Sequence, residues 1–340
     1  MTSSTNKAFH IKVIVTPRFN LAPTVGFLDP FRAANYLEGR SLYHWQLASI
    51  EGGTITASNG IDVATEVLDD TEPITSALAV VSTSWTPEAY GKPVMLAKLR
   101  RLARQGVAMG GIDTGAFLLA AAGLLDGRCA TVHYEHLDAF SELYPKVDVR
   151  EDLYFIDGDR MTCCGGTAAT DLALQIIQRQ QGPALANATA RYLFHDRLRA
   201  PGERQEPSGT EPLGITTPKR LREAIRLMGD HLEEPMSVPE IARKVGLSQR
   251  QLERLFAQNT GMSPVRYYRD IRLDRARGLV TQTDMPVLEV ALACGFFSPE
   301  HFSRAYRLRF GIAPREDRIE GRIPFEFRAW PMHTRRRQES

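Results

Sequence analysis

Asp113 stands in Gly110-Gly111-Ile112-Asp113-Thr114-Gly115-Ala116-Phe117, a run that passes from an apolar strand into an apolar helix with one acid at the turn. In an α/β fold such an elbow lifts its central side chain above the carboxyl end of the sheet, where nucleophiles and ligand contacts gather. A carboxylate of low basicity is a poor nucleophile for acyl transfer from an amide, but a good counter-ion for a cation. Trp85, shortly after an apolar strand at 78–82, and His133-Tyr134-Glu135, after Thr131, are expected to converge on Asp113 and Thr114. An acid beside aromatic faces suits a cationic head such as a methylated amine. Plain packing of Trp85 and Tyr134, and a helix N-cap role for Asp113, stay open beside that reading. Phe19, Asn20 and Thr24, on the loop after the first strand, are further candidates for the cavity lining. His133 and His136, with Glu135 between them, could share a helical face at i and i+3, but no third ligand has recognisable spacing, so a structural place or a ligand contact is expected for them, and neither metal nor cofactor.

A second set of chemical groups lies between Val238 and Pro314, where one pattern occurs twice about 50 residues apart. Glu240-Ile241-Ala242, Gly246, Ser248, Leu252, Arg254, Phe256 and Gly261-Met262-Ser263-Pro264 are answered by Glu289-Val290-Ala291, Gly295, Ser298, Phe302, Arg304, Tyr306 and Gly311-Ile312-Ala313-Pro314. Each copy reads as helix, turn, helix. Ser237 with Glu240, and Ser248 with Gln251, have capping-box spacing, and Gly246 supplies the freedom for a sharp turn between them. Leu252, Leu255 and Phe256 then form an inward stripe that turns Gln249, Arg250, Glu253 and Arg254 outward. In the later copy Pro299 occupies the first helical position after Ser298. Phe302, Ala305 and Tyr306 face inward there, leaving Glu300, His301, Arg304 and Arg307 exposed. Arginine grips guanine, glutamine pairs with adenine, and both also hold phosphates. Gln249, Arg250, Arg254, Glu300, His301, Arg304 and Arg307 are therefore the expected contacts to double-stranded DNA, with base readout and phosphate contact equally open for each arginine. Residues 264–281 have no breaker except Gly278 near the end and read as one linking helix, roughly 25 Å long. That length can hold two reading helices near one turn of DNA apart, about 34 Å, especially on a bent duplex.

The elements that must position these groups divide the chain. At 340 residues it is long enough for two globular domains. Residues 1–214 carry 19 Lys and Arg against 24 Asp and Glu, whereas residues 215–340 carry 23 against 16, so the formal charge of +2 conceals a basic rear half suited to phosphate. In the front half strand and helix alternate: strands at 9–15 and 45–50, a helical run at 28–37, a hairpin around Asn59-Gly60, a strand at 78–82, a long helix at 87–105, a strand at 107–112 and a helix at 116–122. That alternation predicts a mostly parallel sheet with helices on both faces. The rear half reads as all helical. The expected domains are 1–199 for ligand sensing, a Pro- and Gly-rich linker at 200–217, a DNA-binding domain at 218–320, and a basic tail at 321–340. The polar start and the lack of any run near about 20 apolar residues point to a cytoplasmic protein with no membrane partner. Cys129, Cys163, Cys164 and Cys294 have no metal or redox spacing and read as small buried hydrophobes.

Residues 219–318 resemble the DNA-binding domain of the AraC/XylS family. The likeness is carried by Gly261-x-Ser263-Pro264, Tyr268, Arg272-Leu273, Ala276, Ala291, Gly295-Phe296, His301-Phe302-Ser303-Arg304 and Phe310-Gly311. After the final proline the family often has an aromatic-Arg pair, whereas this chain has Arg315-Glu316-Asp317-Arg318. The elbow segment, continuing through Gly123-Leu124-Leu125-Asp126-Gly127-Arg128 to Thr131-Val132-His133-Tyr134, resembles the class I glutamine amidotransferase-like (PfpI-type) domain, and Gly165-Gly166-Thr167-Ala168 with Asp171-Leu172 resemble its later strand-to-helix junction. This pairing is similar to the GlxA-like branch of AraC regulators. It implies a flavodoxin-like α/β front domain and two helix-turn-helix motifs behind it. It also implies a homodimer that binds promoter DNA in response to a small effector, with activation of a catabolic operon favoured. Enzymes of the amidotransferase superfamily carry cysteine at the elbow, so Asp113 implies a sensor without turnover. Its own chemistry points to an amine, a betaine-like or carnitine-like compound, or an amino-acid derivative. Two other classes stay open: an amidase or hydrolase fused to a DNA-binding module, and a front domain that is only a dimerisation scaffold.

Overall fold

In the computed structural model, which describes residues 8–68, 77–205 and 218–320, the chain divides into two units, Met1–Gln205 and Glu206–Ser340. The front unit begins with β1 (Phe9–Val15), α1 (Leu21–Glu38), β2 (Tyr43–Ser49), β3 (Gly53–Thr56), β4 (Asp62–Val67) and β5 (Leu78–Ser82). It continues through α2 (Pro93–Arg104), β6 (Ala108–Ile112), α3 (Gly115–Ala121), β7 (Cys129–Ala130), α4 (Leu137–Leu143) and β8 (Asp148–Val149) to β9 (Tyr154–Asp157), β10 (Arg160–Cys163), α5 (Ala168–Gln181) and α6 (Pro183–Tyr192). Eight strands form one sheet in the order β3-β4-β2-β1-β5-β6-β10-β9. The run from β4 to β10 is parallel throughout, and only the edge strands β3 and β9 pair antiparallel.

β5 is buried at every position because helices cover both faces of the sheet, and strands so covered read as continuous apolar runs. Val13 and Val80 join Phe27, Phe31 and Leu172 in one core, while Ile14 and Val81 join Leu99, Phe117 and Phe140 in the other. The expected mostly parallel α/β sheet is thus present. Three local expectations are corrected. α1 starts at Leu21 and carries Pro30 within it, ahead of the expected start at 28. The expected long helix at 87–105 is two pieces, a 3-10 turn at Pro87–Tyr90 and then α2, because Pro93 has no amide hydrogen to continue a helix and starts a new one. Residues 200–205, assigned to the linker, are fastened to the front unit: the Leu153 amide donates to Glu203 O at 2.8 Å and the Gln205 amide to Glu151 O at 2.9 Å. Just before them Asp171, fully buried, accepts from His195 Nε2 at 2.9 Å and from Arg199 Nε at 2.8 Å. Residues 206–217 and 321–340, the rest of the expected linker and the tail, lie outside the described residues.

The rear unit is α7 (Lys219–Gly229), α8 (Val238–Lys244), α9 (Gln249–Thr260), α10 (Pro264–Gln282), α11 (Val287–Ala293), α12 (Pro299–Phe310) and α13 (Pro314–Glu320). Both expected capping boxes are closed, Ser237 with Glu240 and Ser248 with Gln251. α7, α8 and α9 enclose one core with Tyr267 and Tyr268 of α10. α11 and α12 enclose a second with Leu273, Ala276, Leu279 and Val280 of the same helix. The unusual Arg315-Glu316-Asp317-Arg318 has a structural purpose: Asp317 is buried and accepts from Tyr306 Oη at 2.7 Å and Arg277 Nε at 2.8 Å, tying α13 to α12 and α10.

Candidate functional site

The elbow is sharp. Asp113 has φ 60°, a left-handed conformation that residues other than glycine seldom adopt, and its amide donates to Cys163 O at 2.9 Å. α3 can leave β6 so abruptly only because residue 115 is glycine, since a Cβ there would stand 2.0 Å from the Val81 carbonyl oxygen. On the far side Gly165 has φ +89°, and a Cβ on it would stand 3.0 Å from Asp113 Cγ. The carboxyl group is therefore walled in by backbone, at 2 % exposure. Oδ2 accepts from Asn20 Nδ2 at 2.9 Å, while buried Oδ1 has no hydrogen-bond partner among the described residues. Burial raises the Asp113 carboxyl from its ordinary 3.8 to about 6, the Asn20 hydrogen bond works against that rise, and the neighbouring charge of Glu135 adds to it. Asp113 does not cap α3. The capping position belongs to Thr114, whose side chain caps nothing.

Trp85 is half-buried, its ring 4.8 Å from that of His133 and 4.5 Å from that of His136, both edge-on. Burial lowers His133 from 6.5 to about 4, so its imidazole is neutral near neutral pH, and Nδ1 accepts the Glu135 amide at 3.4 Å. Not every expected lining residue takes that place. Thr114 is buried and donates its hydroxyl to Ser84 O at 2.7 Å, so it braces the elbow. Tyr134 is 49 % exposed, with its ring 4.4 Å from His133 and its hydroxyl donating to Glu135 Oε1 at 3.1 Å, which puts it on the rim. Of the three loop candidates Asn20 is hydrogen-bonded to Asp113. Phe19 is core, and the Thr24 hydroxyl donates to Asn20 O at 2.7 Å, holding that asparagine in position. His136, for which the sequence leaves a structural place or a ligand contact open, is packed between Trp85 and Phe117. Cys163, Cys164 and Cys294 are buried as expected. Cys129 is the correction, partly exposed with its thiol donating to Asp148 Oδ2 at 3.3 Å.

In the rear unit Gln249, Arg250, Arg254, Glu300, His301, Arg304 and Arg307 are all exposed, while Leu252, Phe256, Phe302 and Tyr306 are buried on the opposite faces of α9 and α12. Gln249 Nε2 donates to Glu253 Oε1 at 2.9 Å, and Arg307 stands 3.9 Å from Glu316, so these two already have protein partners. Among the described residues no helix is long and apolar enough to cross a membrane.

Residues 241–319 match the helix-turn-helix domain family model, and residues 14–179 match that of the DJ-1/PfpI family. The chain is 40% identical over 306 residues to the HTH-type transcriptional regulator CdhR of Pseudomonas aeruginosa, covering 90% of each chain. It is 34% identical over 317 residues to the HTH-type transcriptional regulator GlxA of Rhizobium meliloti, covering 92% of this chain and 96% of that one. Among solved structures, an AraC family transcriptional regulator from Pseudomonas putida superposes with a TM-score of 0.51 at 26% identity, over 54% of this chain and 99% of the other. With its doubled helix-turn-helix behind an amidotransferase-like sheet, the chain belongs to the AraC family of transcriptional regulators, in the branch that carries a DJ-1/PfpI front domain.

Proposed function

We propose that this regulator is switched by a small cationic effector held at Asp113, and that it reads promoter DNA through the exposed faces of α9 and α12. The observation that carries the ligand half is the buried carboxyl with one oxygen satisfied by Asn20 and the other without a hydrogen-bond partner among the described residues. A buried acid in that state is costly, and a cation offering a hydrogen bond would relieve it. Glu135 deepens the negative potential, and the Trp85 face supplies the attraction that alkylated ammonium groups need. An amine, a betaine or an amino-acid derivative meets these requirements.

The reading includes no turnover. The elbow presents a carboxylate with a raised pKa, and Cys163, the thiol beside it in the fold, is pushed by burial up to about 12, leaving no thiolate for covalent catalysis. It further includes a cytoplasmic homodimer and action as an activator, as the resemblance to the GlxA-like branch implies.

A thermal-shift screen of amines, betaines and amino acids tests the ligand half, because a compound that binds only the folded state raises its melting temperature, by about 2.7 kcal/mol of stability at a hundred times its Kd. A hit should disappear in Asp113→Asn. A panel without a hit rejects the effector class, and a hit retained in full by Asp113→Asn rejects the site. Turnover of an amide by the purified chain, lost in Asp113→Ala, would favour an enzyme instead.

A further inference from the structure

The two helix-turn-helix copies differ in length by one residue, and the extra residue is aromatic. In the first copy the Leu247 amide donates to Ala242 O at 2.9 Å, and the next residue, Ser248, caps α9 by accepting the Gln251 amide at 3.3 Å. In the second the Phe296 amide makes the same bond to Ala291 O at 2.8 Å, but the cap on the His301 amide, at 3.2 Å, comes from Ser298. Phe297 lies between them with no counterpart. The two adjacent phenylalanines have opposite fates. Phe296 is 3 % exposed and lies 4.6 Å beneath the Arg272 guanidinium, whereas Phe297 is 78 % exposed.

A single exposed apolar side chain is ordinary on a protein surface. Its position is what matters here. Phe297 immediately precedes the capping residue of α12, and in helix-turn-helix proteins it is the N-terminal end of the reading helix that meets base edges in the major groove. Ser298, Pro299, Glu300 and His301 around it are exposed too, so no other described side chain of that turn covers the ring. The apolar group that the major groove offers is the C5-methyl of thymine, and phenylalanine is among the side chains that pack on it. Resting on the proposed reading of DNA by α12, we infer that Phe297 is a specificity-determining residue whose ring packs on a thymine methyl at the edge of the α12 subsite. The first copy, one residue shorter, has no equivalent contact, so the two subsites differ in kind.

Duplexes selected from a random pool by the full chain provide the substrate, and each thymine in them is replaced singly by deoxyuridine, which lacks only the methyl. Removing one buried methyl should weaken the parent about fourfold at one position of the α12 subsite. Phe297→Leu, still apolar, should keep part of that preference, and Phe297→Ser should bind thymine and uracil DNA equally there. Exposure of the ring means that neither substitution disturbs the core. An unchanged thymine preference in Phe297→Ser overturns the inference, as does a loss of affinity in that variant accompanied by no uracil effect in the parent. If the parent selects no sequence at all, the proposed reading of DNA fails instead.

Discussion

Asp113 and His133 titrate in opposition, and the pair makes a quantitative test of the site. Asp113 rises from 3.8 to about 6 in the folded chain. A carboxyl raised on folding contributes stability that is present below pH 3.8 and lost as pH climbs through about 6. At about 1.4 kcal/mol for each pKa unit, charging Asp113 costs the apo protein about 3 kcal/mol. His133 falls from 6.5 to about 4, so its contribution is present above pH 6.5 and lost as pH drops through about 4, again about 3 kcal/mol. The two slopes cancel between pH 4 and 6.5, and the parent shows little net dependence from this pair. Asp113→Asn removes one slope, and the variant should gain about 3 kcal/mol relative to the parent as pH rises across that window. His133→Gln should lose the same amount over the same range. Urea unfolding followed by tryptophan emission suits the measurement, since Trp45 and Trp85 stand in the front unit. The difference between variant and parent is the quantity to plot, because other titrating groups then drop out. Curves for parent and both variants that run parallel from pH 4 to 7 would refute the burial of this pair.

Four further outcomes are expected. A cationic effector should lose affinity below pH 6, by up to about tenfold per pH unit as Asp113 is protonated, and calorimetry that finds flat affinity from pH 5 to 7 would exclude the charge pairing. Gly165→Ala should destabilise the front unit by about 1–3 kcal/mol, because φ is +89° and the new Cβ would crowd Asp113; an unchanged unfolding midpoint would contradict that packing. Asp317→Ala breaks the buried ties to Arg277 and Tyr306 and should cost the rear unit about 3 kcal/mol, visible as an earlier helical transition by circular dichroism and absent if the acid is incidental. Arg254→Ala and Arg304→Ala should each weaken binding to selected duplexes by about 1–3 kcal/mol in fluorescence titrations, and variants that bind as the parent does would remove those side chains from the interface.

Much of this was legible because local signals and tertiary packing agree. β5 reads as a buried strand in the sequence and is one, since Leu78 and Val80 enter one core and Ala79 and Val81 the other. The capping boxes and the two inward stripes of α9 and α12 are short-range patterns, and they formed as the spacing requires. The elbow was placed correctly, but its chemistry depended on contacts that spacing does not encode. Asn20 reaches Asp113 across 93 residues of chain, and Thr114 turns away to the Ser84 carbonyl just after the neighbouring strand. The tethering of 200–205 is not legible in the sequence for a related reason. Pro201-Gly202 reads as linker composition, whereas the hold on this stretch comes from Leu153 and Glu151 far back in the chain. Asp317 looked like a departure from a family pattern, and only the position of Arg277 on another helix makes it a hub.

α10 is a 19-residue helix, about 28 Å long, whose two ends are embedded in separate cores. The pair of readers hung from it form a gauge of fixed length. One base pair added between the two halves of a target would displace the second half by about 3.4 Å and swing it through about a tenth of a turn, which a rigid gauge cannot follow. If both readers engage one duplex as proposed, target genes can be tuned by changing letters within each half, and changing the gap between the halves would remove them from this regulator's reach.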